Sequence, residues 1–323
     1  MKARVRARAN IALIKYWGKA DAELNIPAVG SISVTLDRLW SDTAVEFSED
    51  LSGDEFLLDG TSRPDQLART SDTLDLVRDL AGVDLPAKVT SENNFPTGAG
   101  LASSASGFAA LTAAATRALR LDLTDRELSL LARRGSGSAA RSIFGGYVEM
   151  HAGVAADGSD SYAEPLLDAS EWPLAVIIAI TGRGEKPVGS RAGMAASEAT
   201  SPYYPAWVAT SAADLDRGRR AIREKDFSAL AQVAEHSCLK MHAAAMANLP
   251  PLLYWNPATL ACMRSVAQLQ ADDTAVFFTI DAGPQVKAIC TLDAAPTVVT
   301  ALRGVPGVID VIESGLGPGL ETL

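Results

Sequence analysis

The sequence predicts an α+β chain of two packed lobes, residues 1–175 and 176–323, and three observations carry that prediction. Each half reads as strands, then helices, then strands, rather than as the regular strand and helix alternation of a parallel sheet. The chain has 323 residues, enough for two lobes that each bury a core. No internal repeat or low-complexity linker interrupts it.

Residues 3 to 17, "ARVRARANIALIKYW", alternate and then turn continuously apolar, and 31 to 36 and 43 to 47 read as two further strands. The opening "MKARVRARAN" is Arg-rich and acid-free like a transit peptide, yet it runs unbroken into the first strand and is read as part of the fold. Leu67, Leu74, Val77 and Leu80 then recur at helical spacing, "AKVTSENNFP" supplies a strand and a loop, and Ser104 to Leu119 follows as a helix. A helix over "TDRELSLLARRG" has Thr124 as N-cap, Glu127 three positions on, and Gly135 as the glycine of its C-terminal end. Strands at 146 to 150 and 174 to 180 close the first half. Helices near 189 to 199, 205 to 223, 226 to 247 and 256 to 270 come next, then a strand, turn and strand in "TAVFFTIDAGPQVKAICTL", and a last helix and strand.

A formal net charge of −10 weighs against nonspecific attraction to nucleic acid or to an anionic membrane surface, so an anionic substrate has to be held by particular Lys and Arg residues. The longest apolar run, 172 to 180, is too short to span a bilayer and fits a buried strand. Cys238, Cys262 and Cys290 lack CxxC spacing and read as reduced thiols of a cytoplasmic protein, and His151, His236 and His242 lack metal-ligand spacing with them.

The stretch "NNFPTGAGLASSASG", 93 to 107, leads into an alanine-rich helix. Its Gly98, Gly100, Ala99 and Ala102 let the main chain approach an anion at a helix N-terminus, and Ser103, Ser104 and Ser106 add hydroxyls for phosphate oxygen or Mg²⁺. It fits neither GxxxxGK[ST] nor GxGxxG, and by composition it is equally a tight helix-packing turn. Its company changes that balance. "ANIALIKYWGKAD" at 9 to 21, the loop itself, "GSGSAARSIFGGY" at 135 to 147, "KPVGSRAGM" at 186 to 194 and "FTIDAGP" at 278 to 284 together resemble the diphosphomevalonate decarboxylase family of the GHMP kinase superfamily, in order and spacing over most of the chain.

The resemblance implies a two-lobed GHMP kinase fold, with an N-terminal lobe like ribosomal protein S5 domain 2 that binds ATP and a ferredoxin-like C-terminal lobe. It implies a homodimer, and a reaction in which ATP phosphorylates the 3-hydroxyl of mevalonate 5-diphosphate, after which phosphate and CO₂ leave to give isopentenyl diphosphate. In the catalytic centre it places Asp281, which orients the hydroxyl or accepts its proton, Arg141, whose fork suits the substrate carboxylate, Lys15 as charge at the reacting end, and Asn10. Tyr16, Lys19, Ser136, Ser138, Ser190 and Arg191 are the implied diphosphate grip. Pro96, Gly98, Gly100, Leu101, Ala102, Ser103 and Ser104 are the implied ATP cradle, with Ser104 toward Mg²⁺, which otherwise arrives on the ATP phosphates.

Two departures stand beside the match. Where the family usually carries an Asn-Ser pair, this chain has Val29 and Gly30, and "TGRGEKPVGSRAGM" approaches Ser190 through a longer, glycine-rich segment. They leave open the same chemistry on mevalonate 5-phosphate, while Asp281 and Arg141 stay intact; the other rival readings are a GHMP kinase that stops at phosphorylation and, from another class, a catalytically silent nucleotide-binding or assembly protein.

Overall fold

The computed structural model describes residues 1–95, 103–184 and 188–323. Its first sheet is built on β1 (Lys2–Ile14) and, beyond the short hairpin β2 (Lys19–Asp21) and β3 (Ile26–Pro27), on β4 (Ser31–Phe47). The sequence predicts two strands where β4 is one, because Asp37 to Asp42 looks polar enough to break it. Those polar groups are satisfied inside the sheet instead: Arg6 donates to Asp42 through Nε (2.7 Å) and Nη2 (2.9 Å), and Ser41 Oγ lies 2.8 Å from Ser106 Oγ. Then follow β5 (Glu55–Leu58), β6 (Thr61–Ser62), α1 (Pro64–Ala81), β7 (Ala87–Asn93), α2 (Ser103–Ala118), α3 (Asp125–Gly135) and a 3₁₀ turn at Ala139–Ile143. Next come β8 (Tyr147–Met150) and β9 (Ala163–Leu167). The "AEPLL" of β9 escapes sequence reading because its proline marks an edge strand, paired among the described residues with β8 alone.

In α1, Leu74 and Val77 are fully buried as expected, whereas Leu80 is 57% exposed. Thr124 and Glu127 form the expected reciprocal capping box of α3, an arrangement worth about 1 kcal/mol. Gly135 does not serve as a left-handed C-terminal glycine, since the cap residue is Ser136 in extended conformation. It is small because a Cβ there would lie 2.5 Å from Phe108 Cδ1.

The second sheet takes β10 (Ala175–Ile180), and after α4 (Ser190–Thr200), α5 (Tyr204–Glu224), α6 (Phe227–Met246) and α7 (Pro257–Ala271) it adds β11 (Val276–Ile280) and β12 (Val286–Cys290). Past α8 (Ala295–Arg303), β13 (Asp310–Ser314) completes the order β11-β12-β10-β13, all antiparallel. The chain then returns to the first sheet, where β14 (Glu321–Thr322) pairs with β1 in the order β14-β1-β4-β7-β5-β6.

Three apolar layers result. Alanines of α2 with Leu74, Val77, Leu128 and Leu131 cover one face of the first sheet, and α7 and α8 cover the far face of the second through Cys262, Val266, Val298 and Leu302. Between them, Ile11, Leu13, Ile32 and Val34 meet Val176, Ile178, Phe277 and Ile289, with Ile222 of α5 and Leu230 and Val233 of α6. This middle layer fixes the two sheets against each other by burial of branched side chains, each contributing roughly 1.5–3 kcal/mol, and so sets what meets at their ends. No described helix is long and apolar enough to cross a membrane.

Candidate active site

At the end of the middle layer, Thr279 of β11 donates through Oγ1 to Ala12 O (3.1 Å), joining the end of one sheet to the end of the other. One step further along each strand, Lys15 Nζ donates to Asp281 Oδ1 at 2.6 Å. Lys15 is 1% exposed and its backbone N–H donates to Ser237 Oγ of α6 (3.0 Å), so the ammonium has little freedom to leave. Lys287 of β12, 0% exposed, places Nζ 3.2 Å from Asp281 Oδ2. That second contact is an ion pair rather than a directed hydrogen bond, for Oδ2 is buried and accepts no well-angled donor. Burial works to raise the Asp281 pKa, but Lys15 and then Lys287 outweigh it and hold the carboxyl well below the usual range. It is an anion at any physiological pH.

Arg141 rises from the 3₁₀ turn with its guanidinium buried against neutral acceptors. Nη1 donates to Ser31 Oγ (2.6 Å), Nε to Ser33 Oγ (3.0 Å), and Nη2 to Asn10 Oδ1 (3.2 Å). Asn10 is oriented in turn by donating to Ser138 O (3.0 Å) and Ser142 Oγ (2.8 Å). Burial lowers the Arg141 pKa to about 10, a cost only partly offset by Tyr16 and Asp281. A guanidinium held this way carries charge not cancelled by its hydrogen-bond partners, and it favours an incoming carboxylate.

The other flank is a cationic grip. Burial, with Arg191 and Arg69 nearby, lowers the Lys19 pKa to about 8, and its ammonium is oriented by Asn25 Oδ1. Tyr16 Oη is buried without a hydrogen-bond partner, and burial lifts its pKa to about 12, so it stays a protonated donor awaiting an acceptor. Gly137 permits this placement, since a Cβ there would meet Tyr16 Oη at 2.6 Å.

Apart from Lys287, the charged groups of this site face one cavity of about 380 Å³. It gathers the sequence-predicted Asn10, Lys15, Tyr16, Lys19, Ser136, Ser138, Arg141, Ser190, Arg191 and Asp281, together with Ser103 and Ser104. Pro96, Gly98, Gly100, Leu101 and Ala102 lie outside the described residues, as do residues 185–187. A second cavity of about 530 Å³ adjoins the first, sharing Arg69, Ser103, Ser104 and Gly189, with Phe56, Leu58, Val89, Phe108 and Leu111 as apolar wall. Among the described residues no group of His, Cys, Asp and Glu is arranged to hold a metal.

The chain matches the family model of the diphosphomevalonate decarboxylase-like N-terminal domain over residues 7–163 and that of the mevalonate 5-diphosphate decarboxylase C-terminal domain over 176–313. It is 40% identical to the diphosphomevalonate decarboxylase mvd1 of Aspergillus fumigatus over 307 residues, 88% of this chain and 75% of that one. This chain belongs to the diphosphomevalonate decarboxylase family. The human diphosphomevalonate decarboxylase is 39% identical over 329 residues, 93% of this chain and 80% of its own. Among solved structures, MDDEF in complex with MVAPP, AMPPCP and magnesium superposes with a TM-score of 0.93 at 40% identity, covering 100% of this chain and 99% of that one. The mevalonate diphosphate decarboxylase of Staphylococcus aureus gives 0.93 at 39%, covering 100% and 98%. The fold is accordingly the two-lobed, α+β GHMP kinase fold.

Within this family frame, the structure adds residues that sequence reading passes over. Arg69 of α1 lines both cavities, its guanidinium 4.4 Å over the Phe108 ring and donating to Gly135 O (3.0 Å). No motif surrounds it; the one hint is Thr73, a turn further on, which is fully buried. Asn25 was equally silent. Lys287 did leave a signal, as the one charge in a strand, "VKAIC", that is otherwise apolar and buried throughout. Val29 and Gly30, where this chain departs from the family pattern, do not line the cavity. Val29 packs with Trp17, Met194 and Trp207, and Gly30 lies under Leu215.

Proposed function

We propose that this chain carries out ATP-dependent decarboxylation of mevalonate 5-diphosphate to isopentenyl diphosphate, ADP, phosphate and CO₂. One observation carries this most: an acidic chain directs Lys15, Lys19, Arg69, Arg141 and Arg191 into one cavity, against Asp281 as the carboxylate among the described lining residues. Such a site selects a substrate with an anion at both ends.

Lys19, Arg191 and Arg69 hold the diphosphate end, with the unpartnered Tyr16 hydroxyl and Ser136, Ser138 and Ser190. Arg141, steadied by Asn10, takes the C1 carboxylate and orients its bond to C2 for departure as CO₂. Asp281 receives the hydrogen bond of the 3-hydroxyl. A carboxyl so strongly acidified is a poor match for early proton abstraction near neutral pH. A loose phosphoryl transfer needs a well-aimed oxygen more than a deprotonated one, so Asp281 positions the nucleophile and takes its proton late. Lys15, beside it, neutralises charge gathering on the transferred group.

The second cavity takes the nucleotide base and sugar on its apolar wall, with the triphosphate reaching Ser103 and Ser104 at the shared edge. ATP would be the phosphoryl donor, and Mg²⁺, held by its phosphates with the Ser104 hydroxyl, would offset their charge. The donor set fits that ion, since a magnesium held mainly by phosphates and water asks only a hydroxyl such as that of Ser104 and no carboxylate cluster. On this reading residues 1–175 form the ATP-binding lobe and 176–323 the second lobe, and the working form is a cytoplasmic homodimer, which sedimentation of the purified chain tests.

The deciding experiment offers mevalonate 5-diphosphate and mevalonate 5-phosphate in parallel and follows ADP and CO₂ together. Equal release of both from the diphosphate is expected. Preference for the monophosphate, or ADP without CO₂, would overturn the assignment.

A further inference from the structure

Asp281 is held from both sides, and the second side has no part in the reaction as set out above. Lys287 does not line the cavity, so it touches neither substrate nor nucleotide there. It occupies the second position of β12, in register with Thr279 of β11 and Ile178 of β10. Alternation along β12 puts Val286, Ala288 and Cys290 on the face covered by α7 and α8, and Lys287 with Ile289 on the face that meets the first sheet. Lys287 is 0% exposed, and Asp281 Oδ2 lies 3.2 Å from its ammonium.

Packing alone does not ask for this residue. Asp281 and Lys15 already form a neutral pair at 2.6 Å, so Lys287 adds an extra positive charge to a buried triad. Removing an ammonium from water for such a triad costs stability, and an apolar side chain of similar length would serve the core better. Burial and Lys15 accordingly lower the Lys287 pKa, with Asp281 opposing. What the residue does supply is geometric. A carboxylate held only through Oδ1 keeps freedom to rotate about its Cβ–Cγ bond, whereas a second cation at Oδ2 fixes the plane.

We infer that Lys287 is a positioning residue that acts through Asp281, fixing the plane of its carboxylate from behind so that the edge facing the cavity meets the substrate hydroxyl. This rests on the reading of Asp281 given above. The other titratable groups around the pair come from α6: Cys238, whose Sγ accepts from Ile280 N (3.2 Å) and whose pKa burial raises, and His242, kept neutral by burial with its pKa near 3. Arg141 faces Asp281 from across the cavity. Near neutral pH none of these changes charge, so a change in kcat there reports on the placement of Asp281 rather than on its ionisation.

The test is Lys287→Met, alone and combined with Asp281→Asn, assayed near neutral pH. A loosened nucleophile site is expected to lower kcat by about 10- to 100-fold, with KM for both substrates changed less than about twofold. The thermal midpoint should be unchanged or raised, and adding Lys287→Met to Asp281→Asn should cost nothing more. An unaltered kcat, or equal slowing in the Asp281→Asn background, overturns the inference. Lys287→Gln is the second variant, and failure of both to fold would also overturn it, because a positioning residue is dispensable to the fold. A fast Asp281→Asn enzyme instead sinks the reading of the site itself.

Discussion

Lys15 Nζ and Asp281 Oδ1 meet at 2.6 Å although the residues stand 266 positions apart, one at the end of each sheet. The pair exists only because the middle apolar layer sets the sheets in one register. Its removal is therefore both a catalytic and a structural event. In Asp281→Ala, turnover should fall by about 10²- to 10⁴-fold. Lys15 and Lys287 then face each other without an anion, and stability near neutral pH should fall by about 3–5 kcal/mol. A buried lysine with depressed pKa binds fewer protons folded than unfolded, so that loss is full at low pH and shrinks as pH rises toward the ordinary lysine range. Denaturant melts across pH check it, and a pH-independent loss would contradict it.

Arg141 holds its fork on Ser31, Ser33 and Asn10, all neutral. Arg141→Gln should lower kcat by about 10²- to 10³-fold, the scale seen on losing one preorganised donor at a developing charge. Circular dichroism separates that loss from misfolding. Near-normal turnover would remove the carboxylate from this arginine.

Lys19, with its pKa near 8, predicts a pH effect whose sign is fixed. The ammonium is present below that value and lost above it, so kcat/KM for the diphosphate substrate should decline as pH rises through about 8. In Lys19→Arg the charge persists and the alkaline limb should move up by more than one unit. An identical limb in the two enzymes would assign it to another group.

Arg69 touches both cavities, so Arg69→Met should raise KM for the diphosphate substrate and for ATP together, by about tenfold each as for loss of one charge-assisted contact. A change confined to one substrate would place Arg69 on that side alone.

Gly30 is a packing glycine by geometry, since a Cβ would lie 2.6 Å from Leu215 Cδ2 and 3.1 Å from Met150 O. Gly30→Ser is expected to cost about 1–3 kcal/mol of stability through overpacking, while leaving the ratio of diphosphate to monophosphate turnover unchanged. An altered ratio would tie this position to substrate choice.

Much of this molecule was legible from local pattern. The long helices, the capping box at Thr124 and the strand, turn and strand around Asp281 follow from periodicities of 3.6 and 2 and from capping chemistry, which act over a few residues. The motifs named the predicted site residues, and those described face one cavity. The continuity of β4 was not legible, because Asp42 reads as a breaker until Arg6, 36 positions away, takes its charge. Nor was the role of Gly135, set by Phe108, or the place of Arg69 and Lys287. By itself the sequence determined which elements form and which residues carry chemistry. Only the tertiary structure decided which charges face which, since a carboxyl's acidity and a lysine's burial depend on neighbours within a few ångströms that the chain supplies from its opposite ends.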